Sequence, residues 1–206
     1  MTLTLRIILT GAALVLLYGG GCGRHAQAFD LTDAGAIGAA CLLHLGLHEI
    51  GHQVVAQEAG ATDSKMQFFT QKDGIFCLGL STCKDLPKES KLSYAAGGER
   101  MIGWLFEYGL ASYRSKGTMF NKALLLVTGI HFLAYTIRAN YLESGNNYCD
   151  PDHIRQETGL SKTALLSIVA LKAGLNAYRI FNDEVRLIPW IAVDKKSAAV
   201  MVGFRF

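Results

Sequence analysis

Apolar and polar positions follow two different periods along the chain, and the change between them predicts the elements. Residues 7–18 form an almost unbroken apolar run behind one positive charge, broken by Gly19, Gly20 and Gly21. From Leu31 to Gly60 the pattern reads as one long helix, with Thr32 or Asp33 placed to cap its start and Gly60 to stop it. Its first half, residues 34–47, is apolar on every side apart from His44, which predicts burial all round in a membrane or a protein core.

The period then falls to two. Met66, Phe68 and Thr70 alternate, Asp73-Gly74 is a turn signal, and residues 75–80 are apolar, so residues 65–83 read as a β-hairpin. A polar linker containing Pro87 leads to a glycine-rich apolar segment, residues 92–112, read as a helix whose small residues admit a close neighbour. Residues 123–141 are the most membrane-like segment downstream, with Arg138 near its end. A polar loop follows, then a helix with Pro151 suited to its first turn, and a further helix over residues 162–181 capped near Ser161, with Lys172 inside it. Residues 185–193 and 198–206 are strand-like and joined across 194–197 as a C-terminal hairpin. The predicted class is mainly α: a membrane-associated helical core with one small hairpin inside the chain and one at its end.

Composition supports this picture. Half of the 206 residues are hydrophobic, only 18% are charged, and three prolines argue against a disordered chain. The net charge of +3 is small and its basic residues are scattered, which gives no support to nucleic-acid binding. Ala26-Gln27-Ala28 has the small-x-small pattern of a signal-peptidase site, so residues 1–28 read as a signal peptide or an uncleaved anchor helix. Residues 29–184 would then be the helical domain and 185–206 the terminal hairpin. The expected location is a bacterial cell envelope: the membrane, with the inner membrane favoured, or the periplasm. Cys77 and Cys83, on either side of a Gly-containing segment, could close a small loop in such an oxidising compartment.

One motif bears chemistry. His48-Glu49-Ile50-Gly51-His52 is H-E-x-x-H on a strongly predicted helix. At 100° per residue the two histidines share a face one turn apart and can reach one Zn2+ ion. Glu49 beside them can take a proton from a zinc-bound water and pass it to a leaving amine. Two imidazoles and a carboxylate on an apolar helix are costly to bury without a partner such as a metal. His44 lies one turn earlier on the same face, as a core histidine, a substitute ligand or a lining of the water path. Zinc needs a third protein ligand. Glu58 is rejected, because an unbroken helix points it away. Glu99, after Gly98, would make a His-His-Glu site of the gluzincin kind; Asp150 or Asp152 would make a His-His-Asp site.

The order of parts resembles the site-2-protease family of membrane metalloproteases. In that family an H-E-x-x-H on an apolar helix is followed by a β-hairpin, a small-residue helix with an Ala-Gly-Gly-like segment, and an Asp ligand at the start of a later helix. Here these correspond to His48–His52, the hairpin at 65–83, Ala96-Gly97-Gly98 and Asp150 or Asp152. The resemblance implies a zinc metallopeptidase acting on a protein or peptide substrate at or in the lipid bilayer, with His48, His52 and Asp152 on the metal and Glu49 as general base and acid. Asp152 is favoured over Asp150 because Asp150, just before Pro151, suits an N-cap, and His153 offers a nearby nitrogen. Docking of that loop on the motif helix would bring Cys149 toward Cys41. The alternatives are a soluble exported peptidase using Glu99, or a non-catalytic zinc-binding envelope protein.

Overall fold

The computed structural model describes residues 30–142, 149–195 and 197–204. The chain divides into a short N-terminal unit, Met1–Ala34, and a main unit, Gly35–Phe206. The leader or anchor read at residues 1–28 lies outside the described residues. In the first unit Asp30, rather than Thr32 or Asp33, caps the first helix: its Oδ1 accepts from the Asp33 N–H at 2.8 Å.

Helix α1 runs over Leu31–Glu58 and stops where Gly60 turns left-handed, as expected from the sequence. Strands β1 (Thr62–Lys72) and β2 (Ile75–Lys84) pair antiparallel around Asp73-Gly74, with Gln67 opposite Leu80 and Thr70 opposite Cys77. Both turn residues have positive φ, the conformation that Asp-Gly turns favour. Gln53 ties this hairpin to α1, donating to the Lys65 carbonyl at 3.1 Å and accepting from Ser64 Oγ.

The glycine-rich segment is two helices, not one: α2 (Lys91–Ala95) and α3 (Gly97–Ser115), broken at Ala96. Helix α4 (Met119–Ile137) starts at a Thr118 cap and runs on into a π turn, Arg138–Leu142. Helix α5 (Asp150–Thr158) carries Pro151 in its first turn, and Ser161 caps α6 (Lys162–Phe181). The terminal hairpin joins β3 (Leu187–Asp194) to β4 (Ser197–Phe204) antiparallel, in register from Leu187 opposite Phe204 to Asp194 opposite Ser197. The protein is thus mainly helical with two small antiparallel hairpins, the class read from its periodicity.

Packing follows from the apolar faces. Helix α3 lies on α4, α4 on α6, α2 on α5, and the terminal hairpin on α6. One core gathers Leu92, Phe132, Ile154, Leu165 and Val169, with Ile191 and Val193 of β3 against it. A second joins Ala40 of α1 to Ile102, Leu105 and Leu124. Each large apolar side chain so buried contributes roughly 1.5–3 kcal/mol. Between α3 and α6, where Ile180 packs on the Phe106, Leu110 and Leu125 cluster, ion pairs are added. Lys172 pairs with Glu99, and Arg179 makes a two-pronged bond to Glu107, 2.6 Å on each arm, while its guanidinium lies 5.5 Å from the Phe106 ring centre.

Among the described residues, three helices are long and apolar enough to cross a membrane: Leu31–Glu58, Met119–Leu142 and Lys162–Phe181. Their outward positions are apolar as well, with Leu42, Ile130, Leu171 and Phe181 exposed.

The structure corrects the cysteine expectation. Cys77 and Cys83 both lie on β2, six residues apart in extended chain. That is about 20 Å at strand rise, far beyond the ~7 Å a disulfide spans. Neither is in a disulfide, nor is exposed Cys41 or buried Cys149.

Candidate metal centre

The motif helix and the break at Ala96 are built around each other. Gly51, inside the motif, faces Gly97 backbone to backbone. A Cβ on Gly97 would stand 2.6 Å from the Gly51 carbonyl oxygen, and one on Gly51 would collide with the Gly97 carbonyl. The next glycine, Gly98, underlies the His48 ring, with no room for a side chain between them. On the other side Gly79 of β2 leaves space for the Glu49 carboxylate, and Ser81 Oγ donates to the Glu49 carbonyl at 3.2 Å. The Ala-Gly-Gly segment and the hairpin expected from the sequence are therefore the two walls that hold the motif.

His48, Glu49 and His52 are all buried. His52 Nδ1 lies 2.7 Å from the Tyr94 carbonyl oxygen. A carbonyl can only accept, so Nδ1 carries the proton and Nε2 presents its lone pair. That Nε2 is 3.2 Å from His48 Nε2. Asp150 Oδ2 completes a triangle, 3.0 Å from His48 Nε2 and 3.3 Å from His52 Nε2. Burial pushes the Asp150 carboxyl up, but when the two rings carry protons their positive charge outweighs it and holds the group below the ordinary carboxylate range.

These three atoms form the group of side chains able to hold a metal ion among the described residues. Their spacing fits. A tetrahedral zinc with bonds of about 2.0–2.1 Å sets its ligand atoms roughly 3.3 Å apart. Their chemistry fits too, since lone pairs from two rings and a carboxylate meeting in a buried place repel one another unless a cation or proton stands between them. The cavity around the triangle is about 40 Å³ and is lined by Glu49, Tyr94, Tyr135 and the Gly79–Ser81 stretch of β2. That is room for a water molecule beside Glu49.

The other predicted residues lie elsewhere. Asp152, expected on the metal, instead accepts from the Arg155 guanidinium through Oδ1 at 2.6 Å. Two residues apart on a helix is about 200°, so Asp150 and Asp152 point to opposite sides, and the helix starts far enough upstream to free Asp150. Its N-cap is Cys149. His153 and Glu58 are exposed. Glu99 is held by Lys172. His44 is buried with Nε2 unpartnered.

Three residues beside the triangle escape the sequence reading. His131 on α4 stacks edge-on against His44, with ring centres 4.2 Å apart, and lies 5.0 Å from His48. Tyr135, one turn later, accepts from the Asp150 N–H through its hydroxyl at 3.2 Å. Tyr94 supplies the carbonyl that orients His52, and burial pushes its phenol above the ordinary value. The signal for His131 and Tyr135 is present: two polar rings at i and i+4 in the most apolar helix, where a polar group needs a reason. Tyr94 acts through its backbone, so its side chain gives no clue.

Comparison with protein-family models, curated proteins and solved structures found no match to this chain.

Proposed function

We propose that this protein is a zinc-dependent peptidase of the site-2-protease-like kind, working at or within the bacterial inner membrane. The observation that carries the reading is the convergence of His48 Nε2 and His52 Nε2, from an apolar helix, with Asp150 Oδ2, from the start of α5, within 3.0–3.3 Å, with Glu49 in the same cavity. His48, His52 and Asp150 would hold the ion. When bound, it supplies Lewis acidity that polarises a peptide carbonyl and acidifies water.

The chain's own groups do the remainder. The Tyr94 carbonyl fixes the His52 tautomer, so the ring is ready as a ligand without reorganisation. The Tyr135 hydroxyl holds the Asp150 backbone in place. Glu49, walled in by Gly79, takes a proton from the attacking water and delivers it to the leaving nitrogen. The helices that frame the site are membrane-length, which favours an apolar segment as substrate.

Metal analysis of the purified chain, combined with a peptide-hydrolysis assay, tests this. Glu49→Gln should keep one zinc per chain and lower hydrolysis at least ~1000-fold, about 4 kcal/mol in the barrier. An active Glu49→Gln variant, or a native chain that binds no zinc, overturns the reading.

A further inference from the structure

Of the two imidazoles on the triangle, one is anchored from behind and the other is not. His52 Nδ1 donates to the Tyr94 carbonyl oxygen, which fixes its proton and its ring plane. His48 also turns Nε2 to the triangle, 3.0 Å from Asp150 Oδ2, but its Nδ1 is buried without a hydrogen-bond partner. A neutral ring that gives its Nε2 lone pair to a cation carries its proton on Nδ1. That N–H is shut off from solvent, so its acceptor must come from the protein. Metal-ligating histidines almost always have such an acceptor.

Few groups beside His48 can serve. Gly98 closes on the ring with backbone and has no side chain to offer. Tyr135, with its ring centre 6.3 Å away, has its hydroxyl on the Asp150 N–H. His44 lies 6.4 Å away, 27° from parallel. His131 of α4 is nearer, 5.0 Å between ring centres and 67° between planes. The His48–His52 pair sets the scale: its ring centres are 4.9 Å apart at 77°, and its two Nε2 atoms are 3.2 Å apart. Rings at this separation bring nitrogens into hydrogen-bond reach when the nitrogens face each other. His131 carries the matching deficit, since its Nε2 is buried and also without a partner. With its own proton on Nδ1, His131 presents at Nε2 the lone pair that His48 lacks. Joining the two nitrogens asks for a turn of a ring, not for movement of a helix. His44, edge-on to His131 at 4.2 Å, packs against that ring.

We propose that His131 is a positioning residue for the metal centre: its Nε2 accepts the His48 Nδ1 proton and so holds His48 as a ligand, as the Tyr94 carbonyl holds His52. The proposal rests on the metal reading of the triangle, and it concerns the ring behind the ligand rather than the reaction.

The experiment measures zinc affinity of the full chain in nanodiscs by competition with a chelator, the visible spectrum of the Co2+-loaded chain, and the thermal midpoint of the metal-free chain. His131→Phe is close in size but has no acceptor. It should weaken zinc about 10–100-fold and shift the Co2+ bands. Its metal-free midpoint should not fall, because an unpartnered buried nitrogen gives way to carbon. His131→Gln offers an amide oxygen as acceptor and should return most of the affinity and the native Co2+ spectrum. Native-like zinc affinity in His131→Phe overturns this proposal alone. So does a His131→Gln variant that binds no more tightly than His131→Phe, which would leave His131 a packing residue. A native chain that takes up no zinc overturns the metal reading and this proposal with it.

Discussion

Asp150 Oδ2 lies 3.0 Å from His48 Nε2, across 102 residues of sequence. Two positions further on, Asp152 is spoken for by Arg155. The two carboxylates should therefore separate cleanly. Asp150→Ala should weaken zinc binding more than ~100-fold, whereas Asp152→Asn should change it by less than about threefold, below the 10–100-fold typical of groups that orient a ligand. Competition with a chelator of known affinity measures both.

Where α1 crosses the start of α3, backbone meets backbone at Gly51 and Gly97. A methyl group there forces the helices apart, and overpacking of this sort costs typically about 1–3 kcal/mol. Gly97→Ala should lower the thermal midpoint and loosen metal binding together, because Gly98 beneath His48 moves with its neighbour. Gly103→Ala, on the same helix but facing open space, should leave the midpoint unchanged or raise it. Thermal unfolding followed by circular dichroism compares the pair.

The buried Lys172–Glu99 pair should show the asymmetry of such pairs. Lys172→Met leaves a buried carboxylate without its cation and should cost about 3–5 kcal/mol. Adding Glu99→Leu should return most of that stability, since the two groups then leave together. Denaturant midpoints of the two single variants and the double variant decide it, and additive losses would show that the pair is not coupled.

Cys77 and Cys83 should remain two separate thiols even after mild oxidation. Alkylation of the unfolded chain followed by intact mass should find a label on each. A mass two hydrogens short, mapped to the peptide spanning β2, would mean that the strand is not formed as described.

Much of this fold is legible in the sequence because each element is self-reporting. The Met66, Phe68, Thr70 alternation with Asp73-Gly74 defines the first hairpin, and Ser161 marks the start of α6. The H-E-x-x-H spacing places His48 and His52 on one face without any tertiary knowledge. The break at Ala96 is not legible, because its cause is the approach of Gly51 from another helix, and residues 92–112 taken alone have helical periodicity throughout. The choice of Asp150 over Asp152 is equally tertiary. Both sit in the first turn beside Pro151, and only the face of α5 that docks on α1 decides between them. His131 stands between the two: its spacing with Tyr135 in an apolar helix marks it as a residue with a task, but its partner His44 is 87 positions away and only the packing of α4 on α1 brings them together.

The break between α2 and α3 has a meaning beyond topology. In an unbroken helix the Tyr94 carbonyl would lie along the axis, directed at the N–H four residues on. Interrupted at Ala96, it turns that acceptor toward His52. A hydrogen bond withdrawn from one helix thus sets where a proton sits on an imidazole in another. Tolerance to substitution at residues 94–98 should accordingly follow the electronics of His52, so that changes which heal the helix and raise its intrinsic stability are the ones that disable the ring.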